Sequence, residues 1–125
     1  MLVMIHYGFG QKKLPKFGHY TDEEMAFKDA SFDPGADIVC LFEQCEVQYN
    51  LNGAQPMLET YVRKRFKVLK TAGVESANIK LTYYSKNGFE NIGGVEGYVY
   101  NTGEDGKVVT AKMKNNETYR KKVED

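Results

Sequence analysis

The chain has no tryptophan, only two cysteines, two histidines and three prolines among its 125 residues, and no net charge. Two cysteines exclude a disulfide-built scaffold. The same scarcity leaves His6, His19, Cys40 and Cys45 as the candidate His and Cys ligands for a metal centre. Zinc ligands usually come in pairs two to four residues apart around a turn. Cys40 and Cys45 are five residues apart in what reads as one strand, which puts their thiols on opposite faces about 16 Å apart. They are then unable to share a metal or to form a disulfide with each other. No metal and no cofactor is expected. No run of 18 apolar residues occurs, so no segment is expected to span a bilayer. The opening MLVMIHYGFG lacks a basic leader and a nearby small-residue cleavage site. The expected compartment is a reducing cytoplasm, the host's if the product is phage or viral.

Seventeen basic residues balance seventeen acidic ones, which removes any overall electrostatic drive towards nucleic acid or a membrane surface. The distribution is uneven. Residues 1–50 hold four Lys against eight Asp and Glu, residues 51–86 hold seven Lys and Arg against two Glu, and residues 87–125 hold six against seven. Nine tyrosines and seven phenylalanines sit within an ordinary 42% apolar content. Tyrosine combines a large apolar body with a polar tip, which suits half-buried sheet faces and binding surfaces alike.

The longest periodic stretch is Gln55 to Gly73, QPMLETYVRKRFKVLKTAG. At about 100° per residue, Met57, Leu58, Tyr61, Val62, Phe66, Val68, Leu69 and Ala72 fill one half of a helical wheel. Pro56 suits a first helical turn and Gly73 a left-handed stop, so the spacing predicts a long helix over 55–72. Arg65 breaks the pattern by falling near the centre of the apolar face. Thr21-Asp22-Glu23-Glu24 has the form of a capping box opening a short helix over 22–30. Strand-like patterns cover Leu2 to Phe9, Ala36 to Leu51, Asn78 to Ser85, Val95 to Tyr100 and Lys107 to Met113. Glu104-Asp105-Gly106 closes a hairpin between the last two. The expected fold is an α+β two-layer sandwich: a mostly antiparallel sheet of about five strands, the long helix packed on one face, and the short helix beside it. Residues 1–114 form one domain and 115–125 a charged tail prone to fray.

Function is less constrained. A cysteine–histidine nucleophile would have to join Cys40 or Cys45 to His6 or His19. Both cysteines sit mid-strand in apolar surroundings, where a thiol is usually an inert small hydrophobe. The glycines of Gly8-Phe9-Gly10 and Gly93-Gly94-Val95-Glu96-Gly97 are not followed by a helix that could hold an anion. The chain is therefore expected not to be an enzyme. Arg63, Lys64, Lys67 and Lys70 line the wet face of the expected helix, with Lys80 nearby, and Tyr84, Tyr98 and Tyr100 would lie on the sheet face opposite it. Together they could track phosphates and stack bases, although a basic helix face is usually just solvated. The reading preferred over nucleic-acid binding is a small protein-interaction module, a binding, inhibitory or accessory factor able to self-associate, using the same exposed side chains. Glu43 interrupts the apolar run of the long strand as Arg65 interrupts the helix, so the two are a candidate structural ion pair; the equal alternative is an Arg65 guanidinium that snorkels to the rim, and the third is a partner-facing one.

Overall fold

Residues 57–68 also carry a period of two. Leu58, Thr60, Val62, Phe66 and Val68 alternate with Glu59, Tyr61, Arg63, Arg65 and Lys67, and Thr, Val, Tyr and Phe are residues that fit a pleated surface. A computed structural model describes residues 13–51 and 53–123, and in it the strand period prevails. β1 (Ile38–Asn50) and β2 (Met57–Val68) form a long antiparallel ribbon, and β3 (Tyr98–Thr102) and β4 (Val108–Lys112) form a short one. The helix expected over 55–72 is therefore a strand. Of the short helix expected over 22–30, only Asp22–Ala26 is helical (α1), and residues 27–30 are irregular. Residues 78–85, expected to be a strand, are irregular and run into a turn of 3₁₀ helix at Lys86–Gly88. In place of a five-stranded sheet under a helix, the described residues hold two separate two-stranded sheets. The strand expected at Leu2 to Phe9 lies outside the described residues.

The reversal at 55–72 has a physical cause. A lone segment with apolar residues at both spacings is undecided, and its partner decides. β1 is rich in β-branched and aromatic residues and cannot itself be helical at low cost. Leu51-Asn52-Gly53, followed by Pro56, supplies the breakers for a connection between two strands. The pairing runs from Asn50 opposite Met57 at the tip to Ile38 opposite Val68 at the base. Its one irregularity lies between Cys40 and Phe42, where Leu41 is an extra residue on β1 and makes a β-bulge.

The described residues divide into two units, 13–21 with 95–123, and 22–94. Within the second unit, the base of the ribbon is tied to the segment that precedes it. The Leu69 and Lys70 N–H groups both donate to the Asp37 carbonyl oxygen, at 2.8 and 3.1 Å. Ala30, 2% exposed, is the only buried apolar side chain among the described residues. Gly73 is buried against the same Asp37 carbonyl, and a Cβ at this position would collide with that carbonyl. Within the first unit, β3 and β4 pair from Tyr98 opposite Lys112 to Thr102 opposite Val108. The turn between them uses Gly106 at φ +77° and an Asp105 carboxylate that accepts from the Lys107 N–H at 3.1 Å.

Gly73→Ala is expected to lower stability by about 1–3 kcal/mol, as forced overpacking does. Gly93→Ala, where an added Cβ meets nothing within 4 Å, is the control and is expected to change little. Denaturant melts of the two variants decide the point, and equal melts would show that the Asp37–Gly73 approach does not hold the ribbon base.

Candidate interaction surface

Directly opposed residues of an antiparallel pair share a face, so the register sorts the ribbon's side chains without ambiguity. One face carries Cys45 beside Val62, Val47 beside Thr60, and Tyr49 beside Leu58. Ile38 with Val68 and Cys40 with Phe66 continue it towards the base. The other face carries Phe42 beside Arg65, Gln44 beside Arg63, Glu46 beside Tyr61 and Gln48 beside Glu59. The ribbon is amphipathic, with a dry face and a wet, basic face.

Among the described residues nothing covers the dry face towards its tip. Val47 is 55% exposed, Tyr49 75%, Leu58 60% and Val62 50%. Its only charged side chains in the paired register are Glu43 and Lys64, which oppose each other and form an ion pair at 2.9 Å. Single exposed apolar residues need no explanation, but a contiguous set on one side of a regular element does, and it makes this face the candidate surface. Both free cysteines are exposed on this face. Strict alternation would have set them on opposite faces. The bulge at Leu41 restores Cys40 to the side of Cys45, so the sequence-based separation is corrected to about 13 Å along the same face, four residues apart on the partner strand.

The wet face is anchored at its base by α1. The Arg65 guanidinium donates to the Glu24 carboxylate at 2.6 Å, with only 13% and 17% of the two side chains exposed. The Lys67 ammonium donates to the Met25 carbonyl at 3.1 Å. Both Arg63 and Arg65 lie over the Phe42 ring, 5.1 and 5.2 Å from its centroid. Towards the tip, Glu59 accepts from the Asn50 amide at 3.1 Å and from the Tyr61 hydroxyl at 3.0 Å. The candidate Glu43–Arg65 pair is thus replaced by Glu43–Lys64 and Glu24–Arg65, because residues 64 and 65 of one strand point to opposite faces.

The other sequence-predicted side chains do not assemble as expected. Arg63 and Lys67 share the wet face while Lys64 lies on the dry one, so no single basic stripe forms. Lys70 donates to the Gly35 carbonyl at 2.8 Å and pairs with Asp37 at 3.3 Å. Lys80 is exposed on the irregular segment. Tyr84 is also exposed there, edge-on to Phe89 at 6.0 Å. Tyr98 and Tyr100 belong to the other unit, on β3, where their rings stack at 6.4 Å. Phe17 packs edge-on against Tyr98 at 5.4 Å, and Tyr20 packs against Tyr100 at 5.1 Å. These rings form that unit's aromatic cluster, with Tyr98 and Tyr100 half-buried in it, in place of an open platform. Lys112 lies 5.7 Å from the centre of the Tyr98 ring, and its electrostatic interactions with Tyr98 and the Glu96 carboxylate raise its pKa above the ordinary lysine value.

Among the described residues no group of three or more His, Cys, Asp and Glu could hold a metal ion, and no helix is long and apolar enough to cross a membrane. Compared with protein-family models, curated proteins and solved structures, the chain matches none. The signal that sequence reasoning missed was the pairing of two alternating stretches across Asn52-Gly53, which together outline the dry face.

Arg65→Met is expected to cost about 2 kcal/mol, between the value of an exposed ion pair and that of a fully buried one. A double-mutant cycle with Glu24→Gln, followed by denaturant melts, should show coupling, whereas a cycle of Arg65→Met with Glu43→Gln should be additive. The reverse pattern would place the guanidinium with the wrong carboxylate.

Proposed function

We propose that this chain is a non-enzymatic protein-interaction module whose binding surface is the dry face of the β1–β2 ribbon. The observation that carries the reading is the alternation of Cys45, Val47, Tyr49, Leu58 and Val62 onto one uncovered side of a regular ribbon. A two-stranded hairpin alone is marginally stable in water, because nothing covers its apolar side; a third strand or a second layer supplies what it lacks. A partner protein laid on this face provides that layer, and the transfer of each exposed apolar side chain out of water favours the complex. Binding in this mode requires no pocket, no cofactor and no shifted titratable group. Nucleic-acid binding has less support, because Arg65, Lys67 and Lys70 are engaged by Glu24, Met25, Gly35 and Asp37 within their own unit.

Photo-crosslinking in cells that make the protein tests the reading. A photoreactive residue at Val47, on the dry face, is expected to yield discrete protein adducts, while one at Gln48, on the wet face, yields few. Equal labelling from both positions, or none from Val47, would refute the assignment of the surface.

A further inference from the structure

The dry face has a property that most docking surfaces lack: it is complementary to itself. Take a two-fold axis lying in the plane between two ribbons and running along their length. That axis sets β1 of one copy over β2 of the other at the same level. The register then predicts every stacked pair: Cys45 over Val62, Val47 over Thr60, and Tyr49 over Leu58, each met twice by symmetry. The face's one acid and one base meet in the same way. Glu43 of each copy lies over Lys64 of the other, extending the existing 2.9 Å pair into a ring of four alternating charges. No like charges are opposed, and zero net charge on the chain adds no overall repulsion between copies.

Resting on the interaction-module reading, we infer that the partner of the dry face is a second copy of this chain, joined face to face as a four-stranded, two-layer sandwich. Ribbons stacked about 10 Å apart with strands nearly aligned are the ordinary geometry for two apolar sheet faces. The area sets the strength. Twelve residues at about 3.3 Å each give a face roughly 40 Å long and about 10 Å wide. Two such faces bury on the order of 800 Å² in total before side-chain relief is counted, below the roughly 1,200 Å² of stable interfaces and in the range of weak, transient ones. The dimer is therefore expected to be reversible, with dissociation in the micromolar range, rather than obligate. The Glu43–Lys64 pair explains why the face is not wholly apolar: out of register it would be stacked on apolar side chains with no opposing pair, which discourages the slipped and inverted stackings that an all-apolar ribbon would allow.

Sedimentation equilibrium on the purified full chain tests this, with far-UV circular dichroism confirming that each variant is folded. Wild type is expected to show a concentration-dependent monomer–dimer equilibrium. Glu43→Lys sets an ammonium group against that of Lys64 at each crossing of the interface, and Lys64→Glu sets a carboxylate against that of Glu43. Each variant alone is expected to dimerise about tenfold more weakly, or worse, than wild type. Mixed in equal amounts, the two variants are expected to recover dimers, because each acidic face then meets a basic one. Val47→Asp, at an exposed position away from the charges, should also abolish dimers and should not be rescued by either charge variant. A wild-type chain that stays monomeric, a dimer indifferent to the charge variants, or a mixture that fails to recover dimers would overturn the inference. A monomeric chain that still yields Val47 photo-adducts to a different protein would sink self-association and leave the interaction-module reading standing. Absence of both dimers and adducts would remove the two together.

Discussion

A ribbon of two strands satisfies its backbone hydrogen bonds only between its strands and covers neither of its faces, and this constraint governs the unit formed by residues 22–94. The wet face meets it with charge and hydrogen bonding: Glu59 gathers Asn50 and Tyr61, and arginines cover Phe42. The dry face has no such recourse. Hydrophobic burial is the main favourable term in folding, and side chains left half in water contribute little of it. On the proposed reading, an amphipathic ribbon of this length is one half of a layered structure.

What holds the ribbon's base in place is mostly polar. The segment from α1 to Asp37 crosses it through the Glu24–Arg65 pair, the Lys67–Met25 hydrogen bond and the paired N–H groups of Leu69 and Lys70 on the Asp37 carbonyl. These contacts fix geometry more than they add stability, since the net value of each hydrogen bond is about 1 kcal/mol. They also occupy the wet face at the end where its positive charge is densest. The two faces differ accordingly: the wet one fastens the ribbon to its own unit, and the dry one is the surface proposed for a partner.

The sequence made several of these features legible and hid others for identifiable reasons. The long strand at residues 38–50 and the hairpin closed by Glu104-Asp105-Gly106 could be read from alternation and turn chemistry. The segment 57–68 could not, because its apolar residues satisfy both periods, and a helical wheel leaves only Arg65 out of place. That one exception was the useful signal: at period two Arg65 falls beside Arg63 and Lys67 and ceases to be anomalous. The cysteines were misplaced because a bulge at Leu41 is invisible to strict alternation. The ion-pair partners were missed for a related reason, since the choice between Lys64 and Arg65 depends on which face β1 presents. The aromatic cluster of Phe17, Tyr20, Tyr98 and Tyr100 joins residues some eighty positions apart, which no local pattern encodes.

The central claim is the register of β1 against β2, because the dry face, the proposed charge ring and the proposed binding surface all follow from it. Nuclear Overhauser contacts across the ribbon measure it directly. Cross-strand contacts between Cys45 and Val62 and between Tyr49 and Leu58 are predicted, with none between residues three apart along 57–68. A ladder of such i, i+3 contacts through that segment would mean a helix there and would contradict the account.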